Sequence, residues 1–274
     1  MLGENASTAD NQQGSPTCVG PLNDCTPDSD FMSEVIQPEL PGDRKPGQLG
    51  AWLRRNYMHS KAIEQYKQGL KLTREQREIL IGLLLGDAHL ETQNGGRTYR
   101  LKIEQSEAHQ AYVEHLYEVF KQWVLTPPQP KEKRCQGYVS RNWWFQTVSH
   151  RTLRFYAHQF YRKGRKCVPH LIHLWLTPHA LSYWFMDDGS IKSKQSKGVI
   201  FNTQGYTLGE VELLISVLEE RFGLHAKSRR QKEGYQIYIS GKSYERFREL
   251  IEPYLIDNMR YKLPSARQTQ LPKR

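Results

Sequence analysis

Only four cysteines occur in 274 residues and none forms a CxxC pair, which excludes a disulfide scaffold. Cys167, His170 and His173 are spaced by three, but Pro169 breaks any helix there and no fourth ligand is near in sequence, so no zinc site is expected. Long hydrophobic runs are missing as well. The longest, Ile79 to Leu85, is far too short to span a bilayer. The N-terminus has neither the basic and apolar regions of a secretion signal nor the Arg-rich, acid-poor character of a transit peptide. The expectation is a soluble protein with no membrane partner, acting in the cytoplasm or organelle interior where it is made.

Positive charge is absent from residues 1–43, which hold eight acids and no Lys or Arg. All 39 basic residues therefore face only the remaining 21 of the 29 acids, so 44–274 carries about +18 where the whole chain carries +10. A globular part this basic points to a polyanionic partner.

Residues 1–47 hold six of the fourteen prolines and one aromatic residue, and read as an acidic, disordered tail. Residues 48–72 read as a short helical segment, and 265–274 as a basic C-terminal tail. Between them lies an internal repeat. Thr73-Arg-Glu-Gln76 is a capping box that opens a helix apolar on nearly all sides, Ile79 to Asp87. Thr177-Pro178 opens a second such helix, ending at Asp188-Gly189. Strand, helix, strand-pair and helix patterns follow each one. Strands are read at 98–105, around 133–134 and at 138–148 after the first, and at 198–204, 225–231 and 235–240 after the second. This repeat, ordered α-β-β-α-β-β-α over 73–170 and again over 171–264, predicts an α+β protein of two pseudo-twofold halves, built like a fused dimer.

Asp87 and Asp188 end the two apolar helices at equivalent places. If those helices pack together, both carboxylates meet at one end, and Gly82 and Gly86 allow close approach. Two adjacent acids need a cation between them, and an oxygen-rich site in a basic protein suits Mg²⁺. Acids sharing divalent metal beside a positive groove can cleave phosphodiesters.

The stretches Leu80-Ile-Gly-Leu-Leu-Leu-Gly-Asp87-Ala88 and Leu181-Ser-Tyr-Trp-Phe-Met-Asp-Asp188-Gly189 resemble the two motifs of LAGLIDADG homing endonucleases. Tyr261-Lys-Leu-Pro264 and Phe201-Asn-Thr-Gln204 are similar to the single-chain, intron-encoded branch. The first motif departs from the name at Gly86 and Ala88, both small. The resemblance implies a monomeric, site-specific endonuclease that cuts both strands of a long asymmetric DNA target with Mg²⁺ or Mn²⁺ and promotes intron homing. It implies saddle-shaped antiparallel sheets in the major groove. Asp87 and Asp188 would hold metal with help from the Gly86 and Asp187 carbonyls, the Asp187 side chain being structural. Lys166 and Lys262 would lie near the scissile phosphates.

Base and phosphate contacts are expected from exposed strand faces. The candidates are Arg100, Lys102, Gln105, Arg134, Tyr138, Ser140, Asn142 and Gln146 in the first half. In the second they are Lys192, Lys194, Asn202, Gln204, Lys227, Arg229, Gln231, Gln236 and Tyr238. One of Trp143 and Trp144 should be core and the other groove-side or at the sheet edge. The alternative is an intron maturase that holds RNA on the same sheets. A transcription regulator of the same fold is disfavoured because no helix-turn-helix pattern is seen.

Overall fold

The two apolar helices are buried because they pack on each other. A computed structural model describes residues 61–135, 138–193 and 195–264, with backbone only at 62, 133–135 and 138. The expected tails, most of the expected N-terminal helical segment and Lys194 fall outside the described residues. Helix α1 (Lys61–Gln68) precedes the repeat. In α2 (Arg74–Leu85) both arms of the capping box form, Thr73 accepting from the Gln76 amide and Gln76 from the Thr73 amide. The Gln76 side chain also donates to the Val119 carbonyl at 2.7 Å, which ties the cap to the next helix.

After α2 come β1 (His89–Glu91), β2 (Arg100–Ser106), α3 (Gln110–Val119), β3 (Gln129–Cys135), β4 (Tyr138–Gln146) and α4 (Thr152–Phe160). A two-stranded ribbon, β5 (Tyr161–Arg162) with β6 (Arg165–Lys166), and the one-turn α5 (Ile172–Trp175) lead into the second half. There the order repeats as α6 (Pro178–Asp188), β7 (Gly189–Ser193), β8 (Ser196–Phe201), α7 (Leu208–Phe222), β9 (Ala226–Gln231), β10 (Gly234–Ile239) and α8 (Tyr244–Ile251). Each half forms a four-stranded antiparallel sheet, ordered β1-β2-β4-β3 and β7-β8-β10-β9. The fold is thus the expected α+β repeat.

Some boundaries differ from expectation. The short strands β1 and β7 and the β5–β6 ribbon had no alternating pattern long enough to read. The strand expected to reach Gln204 stops at Phe201, where the Asn202 amide turns to the Asp188 carbonyl at 3.0 Å. Alternation then sorts the faces. Leu90, Leu101, Ile103 and Phe145 are buried on one side of the first sheet, and Val199, Phe201, Ile237 and Ile239 on one side of the second. The opposite sides carry mostly polar groups. Among the described residues no helix is long and apolar enough to cross a membrane.

Candidate active site and nucleic-acid interface

Helices α2 and α6 run the same way. Glu78 meets Thr177, Gly82 meets Ala180, Tyr183 and Trp184, and Gly86 meets Asp187, so the contacts advance together along both helices. A Cβ at Gly82 would lie 2.3 Å from the Ala180 carbonyl oxygen. Only glycine permits this approach, and the approach brings Asp87 and Asp188 to the same end of the interface.

The third acid, Asp187, bridges the halves. Its Oδ2 accepts from the Asp87 amide at 3.1 Å, while its Oδ1 is enclosed without a hydrogen bond. Burial, and then the charges of Asp87 and Asp188, hold its carboxyl well above the usual carboxylate range. Asp188 is pushed up to about 7, first by burial and then by Asp87, against the opposing pull of Lys166. The exposed Asp87 accepts from Gln105 Nε2 at 2.9 Å.

Each half also delivers one lysine. Lys166, on β6, donates to the carbonyls of Gly86 at 2.5 Å and Ala88 at 2.8 Å. Lys262, beyond α8, donates to the carbonyls of Met186 and, at 3.0 Å, of Asp187. Burial lowers the pKa of both ammonium groups and the neighbouring acids oppose the shift. His109, which the sequence reading passed over, bonds the Tyr261 hydroxyl at 3.1 Å, and its pKa is lowered by burial and then by Lys262.

Strand register divides the expected DNA contacts. Arg100, Lys102, Ser140, Asn142 and Gln146 share the exposed face of the first sheet, and Tyr138 pairs in that same register set. Arg134 does not. It pairs with Val139 in the alternate set. Gln105 also leaves the expected face, because it continues the Leu101–Ile103 side and turns to Asp87. The two tryptophans split as expected. Trp143 packs against the core, while Trp144 lies under the Lys102 and Lys131 ammonium groups at 5.7 and 5.8 Å.

In the second sheet Lys227, Arg229, Gln231, Gln236 and Tyr238 share one face by register. Lys192 reaches the Tyr238 ring at 5.1 Å, and Asn202 accepts from Gln236 at 2.8 Å, so both join that face. Gln204 lies beyond the strand, its backbone against Gly234.

Two acids on the first face were not anticipated. Glu91 accepts from Arg100, Lys102 and His89, and Glu104 from Lys131 and Asn142. Burial opposes ionisation of Glu91, but its three donors outweigh this and hold the carboxyl at about 2. The alternation that selected Arg100 and Lys102 also selects Glu104.

All-oxygen ligation fits a hard divalent cation. Asp87 and Asp188 offer carboxylate oxygens, and the Gly86 and Asp187 carbonyls, which also accept from the two lysines, could add two more; a cation there would offset the burial and the Asp87 charge that raise the Asp188 pKa. Among the described residues no three His, Cys, Asp or Glu side chains form a metal cage by themselves.

Residues 77–247 match the model of the LAGLIDADG DNA endonuclease family. The chain is 35% identical over 212 residues to probable intron-encoded endonuclease 1 of Wickerhamomyces canadensis, covering 75% of this chain and 91% of that protein. It is 32% identical to DNA endonuclease I-ChuI of Chlamydomonas applanata, over 74% of this chain and all of that one. Cytochrome b mRNA maturase bI2 of Debaryomyces hansenii is 30% identical over 70% of this chain and 74% of its own. The structure is similar to that of the homing endonuclease I-WcaI bound to its DNA recognition sequence, with a TM-score of 0.71, 34% identity, and coverage of 75% of this chain and 93% of that one.

Proposed function

The chain belongs to the LAGLIDADG DNA endonuclease family, and from that premise we propose that it is a metal-dependent, site-specific homing endonuclease hydrolysing one phosphodiester in each strand of a duplex. The observation that carries this reading is the convergence of Asp87 and Asp188 at the paired ends of α2 and α6, each beside a desolvated lysine. Asp87 and Asp188 would hold Mg²⁺ or Mn²⁺, and the Gly86 and Asp187 carbonyls, which accept from Lys166 and Lys262, would add oxygen donors through their remaining lone pairs. A divalent ion so held supplies an activated water and stabilises phosphoryl charge. Lys166 and Lys262 fix the carbonyls at the helix ends beside the acids and add positive charge where the phosphate develops negative charge. The Asp187 carboxyl anchors the Asp87 backbone and is not a metal ligand.

The two polar sheet faces lie along a long asymmetric DNA target, and the protein acts as a monomer on behalf of its intron. Residues 73–170 and 171–264 are the two halves. The test is cleavage of a duplex selected from random DNA by binding. Asp87→Asn or Asp188→Asn is expected to abolish double-strand cleavage and leave binding within a few-fold, and a chelator should do the same to the unaltered protein. Cleavage at unchanged rates in either variant removes the site assignment.

The maturase relative supports a second reading, in which intron RNA is a partner. The narrow major groove of A-form RNA does not admit side chains from a sheet. Tight binding of the host intron RNA with no duplex sequence enriched would favour that reading.

A further inference from the structure

We propose that Glu91 and Glu104 make the first sheet the discriminating reader of base pairs and leave the second sheet as the electrostatic grip on phosphates. This rests on the endonuclease reading above and extends it to how the two halves share the work. Glu91 receives Arg100 through Nε at 3.2 Å and Nη2 at 2.9 Å, Lys102 Nζ at 3.2 Å and His89 Nε2 at 3.0 Å. A carboxylate offers about four lone-pair sites, so these donors fill it. Glu104 receives Asn142 Nδ2 at 2.7 Å and Lys131 Nζ at 3.0 Å. Five side chains on the exposed face of the first sheet are therefore organised by two acids.

The second face differs. None of β7 to β10 contains an acidic residue. Lys192 and Lys227 rest on the Tyr238 ring, Arg229 is exposed on the same face, and Gln236 pairs with Asn202. The sheets share a topology but not an electrostatic character.

The consequence follows from how charge and order act on DNA. A free Lys or Arg finds a phosphate on any sequence, and that term is sequence-blind and salt-dependent. A donor already anchored to a carboxylate is less free to swing to a phosphate, and it loses less rotamer freedom when it meets a base edge. The carboxylate itself repels phosphate, so a sequence that fails to offer matching base edges to the anchored donors meets a penalty. Glu91 stays charged throughout the working pH range, so the arrangement persists in the free protein.

The test uses the full chain, the duplex that it selects from random DNA, and an unrelated duplex of equal length. Each base pair of the selected site is varied in turn. Glu91→Gln and Glu104→Gln are compared with Glu132→Gln. Glu132 pairs with Arg141 in the alternate register of the same sheet. In the wild type, substitutions under the first sheet are expected to cost roughly ten-fold or more per base pair, and those under the second sheet much less. Each of the two variants should bind the unrelated duplex more tightly, with a log–log salt slope steeper by about one for each cation freed to a phosphate. Each should also flatten the mismatch cost under the first sheet only, while Glu132→Gln behaves as wild type. Thermal melting separates these effects from unfolding, and the two variants test the idea at separate sites. Unchanged slopes and mismatch profiles, or changes spread evenly over both half-sites, overturn the proposal. If the wild type enriches no duplex at all, it is the endonuclease reading that fails.

Discussion

A Cβ at Gly86 would lie 2.4 Å from Asp187 Oδ2 and 2.5 Å from Asp187 Cβ, so the glycine of one half and the acid of the other are complementary in volume. Gly86→Ala is expected to lower stability by about 1–3 kcal/mol through overpacking and to displace Asp87, whose amide Asp187 holds. Chemical denaturation and cleavage assays check the two effects separately. Glu91 gives a second expectation. Its folded pKa of about 2 lies below its usual 4.5, so its stabilising effect is complete above pH 4.5 and is lost as pH falls toward 2. Wild type should be more stable than Glu91→Gln at pH 6, with the gap closing through that acid window. A gap that stays constant from pH 6 to 2 would show that the ion-pair cluster is not its source. At this scale the paired acids, both helix caps and most strand-face residues were legible in the sequence. Gln105 and Arg134 were not: the register runs unbroken through both and puts each on the face opposite to the other candidates of its strand pair, and being one position out is enough to exchange the faces.

Among the elements, α2 and α6 carry the greatest constraint. Their apolar character on every side is explained by a sheet and neighbouring helices on some faces and by each other on the last. Gly82→Ala forces backbone against backbone and should cost about 1–3 kcal/mol or more, with cleavage falling further than DNA binding. Gly209, in the first turn of α7, is the contrast, since a Cβ there meets nothing within 4 Å. Gly209→Ala should raise stability by about 0.5–1 kcal/mol by restricting the unfolded chain. Thermal melts of both variants decide the matter, and equal effects would mean that the helix contact is looser than described. Helix α7 was readable to its ends because Thr207 and Glu210 form a capping box and Gly223, at φ 68°, takes the left-handed cap. Strands β1 and β7 were not readable. They are short, and their pairing is set by the neighbouring β2 and β8 rather than by their own sequence.

At the scale of the molecule, the two halves share one buried seam and should unfold together. Calorimetry is expected to give a single transition, with separate transitions for the halves counting against a shared core. The repeat itself was legible because the same caps and the same helix ends recur. What repetition conceals is that the two centres have unlike surroundings. Asp87 is exposed and holds the Gln105 amide, whereas Asp188 is half-buried with its pKa raised to about 7. Two residues beyond β8, at the position that corresponds to Gln105, Thr203 donates instead to the Tyr235 carbonyl at 2.7 Å. A dimer of identical chains would offer both strands the same chemistry at the same moment. This chain surrounds its two acids differently, and the expected consequence is that the two strands are cut in a fixed order. A supercoiled plasmid carrying the target is expected to accumulate as open circles before it becomes linear, with one particular strand broken first in nearly every molecule.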